Sequence, residues 1–283
     1  MLTRVRMVLA QLIRNAAALP LRSLAESQQA EIVETITASM VREMLADGVL
    51  LRFATSTPLL RRRAESLLSK EPDTINWIER FGSGEVFWDI GANIGTFSIF
   101  AAALRDATVV AFEPSADNYA ALCRNIELNA LGNKVTPYCL ALAGNTRLGV
   151  LNSESRRVGA SLHQFGALGE TSRYWQSAES IAVQGMIGFG VDDFIAQFSP
   201  PFPAHLKVDV DGSELEILRS AAATLRDPRL RSVMAELSLD DDGDRTGVTA
   251  LMGAAGFRLV GQGEPQSSAG ATAANHFFVR ADA

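Results

Sequence analysis

Residues 86–97, VFWDIGANIGTF, confine the fold more than any other part of the chain. An apolar run ends at an acid, Asp89. A loop with glycines at 91 and 95 follows, and a second apolar run starts at once. A strand that feeds a glycine turn into a helix is the opening unit of an open α/β sheet. In such sheets ligands bind outside the carboxyl ends of the strands, near the point where strand order reverses. Asp89 and residues 91–95 are therefore expected to line a crevice.

The chain beyond this unit keeps its rhythm. Short apolar runs (VVAFEP, VTPYCLAL, HLKVDV, SVMAEL) alternate with helix-like segments such as VDDFIAQF and SELEILRSAAATL. That alternation predicts a mostly parallel sheet with crossover helices on both faces. Two last strands, near 257–262 and 275–280, have no helix between them. They predict an antiparallel hairpin at one edge of the sheet. The Gly- and Ser-rich stretch 143–188 reads as a less regular insertion on the substrate side. Residues 1–82 read as a mostly helical extension, a candidate lid or oligomerisation element, and residues 83–283 as the sheet domain. Within the extension, residues 23–47 carry Ile32, Val33, Ile36, Met40, Met44 and Leu45 at helical spacing, with Asp47-Gly48 as a stop. This helix suggests a homodimer surface.

Composition excludes little else. The 283 residues hold 26 Lys and Arg against 32 Asp and Glu, a net charge of −6. This disfavours a nucleic-acid partner, which leaves a basic footprint. Cys123 and Cys139 lack any CxxC or zinc-ligand spacing and are expected as buried, reduced thiols, consistent with a cytoplasmic protein. Residues 1–20 bear Arg4, Arg6 and Arg14 around a seven-residue apolar run, too short to cross a membrane. They predict an amphipathic helix packed on protein, or a peripheral membrane contact through Leu2, Val5, Leu9, Leu12 and Ile13.

Two ligand classes use a loop like 91–95. A dinucleotide wants GxGxxG, but the second and third positions here are Asn93 and Thr96. S-adenosylmethionine (SAM) carries an amino group and a sulfonium in place of a pyrophosphate. An acid at the strand end can orient the amino group, and glycines let the backbone approach. Glu113 ends the second strand, 24 residues after Asp89. A carboxylate there can accept both ribose hydroxyls. The pattern favours SAM.

The segments FWDIGANIGTFSIFAA, VVAFEPSADNYAALCRNIELNAL, GVDDFI, HLKVDVDGSELEILRSA, SVMAEL and NHFFVR, in this order, resemble the FkbM family of SAM-dependent methyltransferases. The likeness runs from about residue 70 to the C-terminus. It implies the class I methyltransferase (Rossmann-like) sheet of seven strands, mostly parallel with an antiparallel edge strand. It also implies O-methylation of sugars or of natural-product hydroxyls or carboxyls. Asp89, Gly91, Asn93 and Gly95 would contact the methionine part of SAM, with Ala92 and Thr96 in the same loop. Glu113, followed by Pro114, would hold the ribose.

An alcohol acceptor must lose a proton, so a base is needed. Strand alternation places Lys207, Asp209 and Asp211 on one face. Asp209 is the first candidate for base or anchor, with Lys207 as its partner or as a substrate-orienting group. Glu236, at the end of the next strand, is the second. Asp211 is expected to cap the following helix. Asp209, Asp211 and Glu236 can also be read as a Mg²⁺ site, but no metal is expected, because carboxylates gather at such strand ends without one. His163, in the insertion, reads as a surface-loop residue or as one that reaches the substrate, His205 lies at the far end of its strand, and His276 is structural. Residues 240–244, DDDGD, read as a solvated loop. Arg61, Arg62 and Arg63 read as a wet helix face that can meet an anionic glycan or nucleotide-sugar. Gly159, Ser161, Tyr174 and Trp175 suit a sugar site. The expected activity is SAM-dependent O-methylation of a saccharide or glycoconjugate. Methylation of a peptide or polyketide, a non-catalytic SAM-binding protein and an NAD-dependent oxidoreductase are the alternatives.

Overall fold

The computed structural model describes residues 24–153, 155, 157–161, 163–167, 182–268 and 271–281. The amphipathic segment 1–20, Tyr174 and Trp175 lie outside the described residues. The chain divides into two compact units, residues 1–41 and 42–283. The first contributes helix α1 (Glu26–Ser39), which has no buried residue and exposes Val33 and Ile36.

Helix α1 stops at Ser39, so the single helix expected over 23–47 is not formed. Strands β1 (Val41–Ala46) and β2 (Val49–Ala54) follow instead, as a two-stranded sheet. The signal read as a helix stop, Asp47-Gly48, is the hairpin turn. Both residues have positive φ, 45° and 79°, as a two-residue type I′ turn requires. Leu51 and Phe53 of β2 are buried in the main core with Ala64 and Leu67 of helix α2 (Pro58–Lys70). The hairpin, α2 and α3 (Pro72–Ile78) thus belong to the same compact unit as the sheet. An extension ending at residue 82 is corrected accordingly, because its apolar side chains build the sheet's own core.

The central sheet contains β3 (Val86–Ile90), β4 (Thr108–Phe112), β5 (Val135–Tyr138), β10 (His205–Val208), β11 (Ser232–Ser238), β12 (Phe257–Gln262) and β14 (Ala271–Arg280). Their spatial order is β12-β14-β11-β10-β3-β4-β5, with the short β13 (Gln266–Ser268) on β14. Strands β11, β10, β3, β4 and β5 run parallel. The final hairpin occupies the edge as expected. Its antiparallel strand β14 lies one place in, paired with both β11 and β12. The ten-residue β14 carries buried Phe277 and Phe278, which suits an interior strand, whereas β12 exposes Leu259 and Val260. Pro137 lies in β5 at the opposite edge, where a missing N–H costs nothing.

Alternation along β3 sends Phe87 to one core and Trp88 and Ile90 to the other. Helices α4 (Thr96–Arg105) and α5 (Ala116–Leu128) cover the first face. Helices α6 (Val191–Phe198), α7 (Glu214–Ser220), α8 (Ala222–Arg226) and α9 (Asp242–Ala254) supply buried residues to the second. Each fully buried Phe or Leu on these faces contributes about 1.5–3 kcal/mol relative to exposure. The DDDGD segment is no free loop. Asp241 Oδ1 accepts from the N–H groups of Gly243 and Asp244 and caps α9.

The insertion is more regular than its composition suggests. Strands β6 (Ala141–Leu142), β7 (Arg147–Ser153), β8 (His163–Gly166) and β9 (Ala182–Phe189) form a second sheet in the order β6-β9-β7-β8. Chain order reverses between β3, whose next strand is β4, and β10, which returns after this insertion to β3's other side. The crevice outside β3 and β10 is therefore the switch point.

Candidate functional site

Register fixes what the strand ends present. Lys207 pairs with Asp89 across β10 and β3, and Val208 pairs with Ala235 across β10 and β11. One residue further toward the carboxyl ends come Glu113, Gly91, Asp209 and Glu236, side by side across four strands. Two adjoining cavities open over this row. The first is lined by Ile90, Gly91, Asn93, Phe112, Glu113, Pro114, Leu140, Leu142 and His163. The second, of about 490 Å³, is lined by α2 on one side and by Lys207, Asp209, Glu214 and Glu236 on the other. Arg63, Gly91, Asn93, Ser161, Asp209 and Asp211 line both.

The glycine loop owes its shape to side chains that are absent. Gly91 has φ 80°, and a Cβ there would collide with the carbonyl oxygen of Asp209. Asn93 takes the place of a middle glycine because Asn tolerates the left-handed region better than most residues, and its φ is 51°. Its amide donates to the Ala160 carbonyl at 2.9 Å, and its Oδ1 accepts from Ile94 N–H at 3.0 Å. Gly95, at φ 82°, precedes α4, and Leu122 fills the place of its missing side chain. Gly95 therefore serves packing and lines neither cavity. Ala92 and Thr96 line the second cavity, not the first.

Asp89 departs most from expectation. Its carboxylate is fully buried beneath the crevice and lines neither cavity. One oxygen accepts from Ser98 Oγ at 2.6 Å, and the other faces Lys207 Nζ at 3.4 Å. Lys207 in turn donates to Asp209 Oδ2 at 2.9 Å. Asp89 thus connects to the cavities through Lys207, which lines the second. Burial works against the Lys207 charge, but Asp209, Asp89 and Glu71 outweigh it and hold the ammonium above its ordinary range. Burial also opposes the Asp209 charge, and Lys207, Lys70 and Arg63 overcome this, lowering its pKa. Asp209 therefore favours its ionised form and is a weak base.

Glu236 behaves oppositely. The Asp209 charge, then burial, then Asp211, Glu71 and Glu214, push its pKa well above the ordinary carboxylate value. A carboxylate so placed holds a proton more tightly than Asp209. Asp211 is not the cap of α7. Ser213 holds the N-cap position, and Glu214 Oε1 accepts from the N–H groups of Val210 and Gly212. Asp211, at φ 61°, is turned out of strand geometry and lines both cavities. Among the described residues no group of three His, Cys, Asp or Glu has the arrangement of a metal site.

Glu113 lies where the spacing put it. It accepts from Asn93 N–H at 2.7 Å and Ser115 N–H at 2.9 Å. Burial nevertheless raises its pKa to about 7. Two ribose hydroxyls donating to it would favour the ionised form. Glutamine at 113 should therefore lower SAM affinity while stabilising the donor-free fold at high pH. A carboxyl raised from 4.5 to about 7 stabilises fully below its unfolded value and loses that stability as pH climbs through 7. Relative to wild type, Glu113→Gln should gain about 2–3 kcal/mol between pH 5 and 8. Denaturant midpoints at the two pH values check this, and the difference between proteins cancels His163, His205 and His276, whose lowered pKa values act the other way. An unchanged difference would remove the buried-carboxylate account.

Other residues escaped the sequence reading. His163 is no surface-loop residue. It lines the first cavity, and its Nδ1 pairs with Ser153 Oγ at 2.8 Å. His205 is buried at the far end of β10, stacked on Phe81, and His276 is buried in β14, both as expected. Cys123 is half-buried and Cys139 exposed, so only their free state matches the expectation of buried thiols. Arg62 and Arg63, already singled out in the run of three arginines, line the second cavity, and Ser66 and Lys70, which were not, join them at the helical spacing 62, 66, 70. Of residues 157–161 only Ser161 is among the described lining residues, whereas Gly159 and Ala160 bond to residues beside the cavities. The Gly159 carbonyl accepts from Arg63 Nε, its N–H donates to Asn118, and the Ala160 carbonyl accepts from Asn93 and Asn118. Ser161 follows on both linings, so this part of the insertion reaches the crevice as expected.

The sequence profile described as Methyltransferase FkbM domain matches residues 89–259. Hexuronic acid methyltransferase AglP of Haloferax volcanii is 29% identical over 161 residues, covering 56% of this chain and 59% of that protein. 31-O-demethyl-FK506 methyltransferase FkbM of Streptomyces tacrolimicus is 29% identical over 202 residues, covering 64% of this chain and 76% of that protein. Among solved structures, the precorrin-6y C5,15-methyltransferase of Geobacter metallireducens superposes with a TM-score of 0.43 at 12% identity, over 74% of this chain and 86% of that one.

Proposed function

Because the chain belongs to the family defined by the methyltransferase FkbM domain, we propose that it transfers a methyl group from SAM to a hydroxyl of a saccharide or glycoconjugate. The observation that carries this reading is the pair of cavities meeting over Gly91, Asn93 and Asp209. The first has the chemistry of a nucleoside pocket. Ile90, Phe112, Leu140 and Leu142 offer apolar surface for a base, and the Glu113 carboxylate can take the ribose hydroxyls. Gly91 leaves room for the amino-acid end, and Asp209 and Asp211 offer charge for its amino group. The residues present therefore fit the donor.

When bound, SAM supplies a methyl carbon on a sulfonium, to which an acceptor oxygen bonds as the carbon–sulfur bond breaks and its electron pair stays on sulfur. The chain's own residues orient the acceptor and take its proton. Asp209, fixed by Lys207, accepts a hydrogen bond from a neighbouring hydroxyl of the acceptor. Glu236, beside it, accepts the hydrogen bond of the reacting hydroxyl and receives its proton as the oxygen bonds to carbon. The second cavity is lined mainly by charged and polar groups, with Leu67, Phe97, Ala92 and Ala273 as its few apolar members. That lining suits a hydroxyl-rich saccharide better than an apolar polyketide. The free thiols of Cys123 and Cys139 agree with a cytoplasmic acceptor. No helix among the described residues is long and apolar enough to cross a membrane.

Calorimetric titration with SAM, S-adenosylhomocysteine and NAD is the direct test. The two sulfur ligands should bind and NAD should not. Binding of NAD alone would return the chain to the oxidoreductase reading. A methyl-transfer assay with saccharide acceptors then separates enzyme from binding protein.

A further inference from the structure

The second cavity is electrically two-sided. Its sheet wall carries Asp209, Asp211, Glu214 and Glu236, joined by Glu71 at the start of α3. Its helix wall carries Arg62 and Arg63, with Lys70 two turns further along α2. The positive charges are not all consumed. Lys70 pairs with Glu71 at 3.0 Å, and Arg63 donates to the Gly159 carbonyl through Nε. Arg62 has no ion-pair partner among the described residues, whereas Arg61, next along the helix and off the cavity, is paired with Glu65. Lys207, the one cation on the sheet wall among the described residues, is held between Asp209 and Asp89.

An acceptor in this space meets carboxylates at the end where methyl transfer occurs and guanidinium groups at the other. An anion beside Asp209 would be repelled, while one beside Arg62 and Arg63 would gain charge-assisted hydrogen bonds. We propose that the acceptor carries an anionic group, a carboxylate or a phosphate, seated against Arg62, Arg63 and Lys70. Its methylated oxygen is a neutral hydroxyl turned toward Asp209 and Glu236, so that the product is a methyl ether rather than a methyl ester. This inference rests on the methyltransferase reading and adds the charge and the orientation of the acceptor.

The test is equilibrium binding to the full chain with the donor cavity filled by S-adenosylhomocysteine. Methyl glucuronide and glucose 1-phosphate stand for the two sources of charge, and methyl glucoside and the methyl ester of methyl glucuronide are the neutral controls. At low salt at least one anionic probe should bind about ten- to a hundredfold tighter than the neutral pair. Tight binding by the glucuronide alone identifies a carboxylate acceptor, and by the phosphate alone a phosphorylated one. The double variant Arg62→Gln, Lys70→Gln should erase the preference and leave S-adenosylhomocysteine affinity within about twofold, since neither residue lines the first cavity. Equal binding of all probes, absence of binding by both anions, or a preference that survives the double variant overturns the proposal. The Asp209→Asn variant, which removes the negative charge at the reacting end, tests orientation. A gain of about tenfold or more in anion affinity would place the charge against the sheet wall and overturn the ether assignment, whereas a change under about threefold supports it. Failure to bind S-adenosylhomocysteine would instead overturn the methyltransferase reading and this inference with it.

Discussion

Replacing Lys207 with methionine should destabilise the protein by about 3–5 kcal/mol, among the largest effects open to a single side chain here. Lys207 is buried, and its ammonium stands between two carboxylates, 2.9 Å from Asp209 Oδ2 and 3.4 Å from Asp89 Oδ1. Methionine conserves most of the volume, so the loss reports charge and not a cavity. Asp89 is the group left exposed to the penalty. It is wholly buried, and only the Ser98 hydroxyl would then remain to it. Asp209 is partly open to the crevice and can recover solvent. The asymmetry gives a second measurement. Adding Asp89→Asn to Lys207→Met should restore much of the lost stability, whereas Asp89→Asn alone should destabilise. Urea denaturation of the four proteins completes the cycle. A loss under about 1 kcal/mol for Lys207→Met would mean that the buried carboxylate does not depend on the ammonium and that the triad does not hold the strand ends in place.

The same triad shows what sequence could and could not convey. That Asp89 ends a strand, that Glu113 ends the next, and that Lys207 and Asp209 share a face follow from short-range period and spacing, which the chain obeys closely. Whether the Asp89 side chain is open to a ligand or closed beneath it depends on Ser98 and on Lys207, from a helix and from a strand more than a hundred residues away. No local pattern contains that depth. The hairpin at 41–54 was obscured for another reason. Asp-Gly serves equally as a helix stop and as a type I′ turn, and the apolar residues before it satisfy a helical period by coincidence. Only the burial of Leu51 and Phe53 in the main core decides between them. The second sheet was hidden because β7 and β9 pair across a long, compositionally mixed stretch. The cationic stripe of α2 was visible as three arginines, but the face a helix turns to a cavity is set by what packs behind it, here Leu60, Ala64 and Leu67.

Glu236→Gln should lower the rate of methyl transfer by about 10²–10⁴-fold while SAM affinity changes little. Glu236 lines the second cavity and not the first, so donor binding has no direct dependence on it. Its proton affinity is raised chiefly by Asp209, next to it across β10 and β11, and then by burial. Asp209, with its pKa lowered by Lys207, is too poor a proton acceptor for an alcohol but a good hydrogen-bond acceptor for one. In the proposed reaction the two carboxylates would divide the work, one anchoring and one accepting the proton, as neighbouring groups do when their environments push their pKa values apart. The division has a signature in pH. Wild-type activity should rise with pH as Glu236 ionises, and that limb should vanish in Glu236→Gln, leaving a slow rate that depends on hydroxide. In Asp209→Asn the limb should persist but move to lower pH, because removing the neighbouring negative charge makes Glu236 easier to ionise. Rates measured over pH 5–9 at saturating donor distinguish the two variants. Should the limb survive unchanged in Glu236→Gln, the proton goes elsewhere, and Asp209 or Asp211 becomes the group to test.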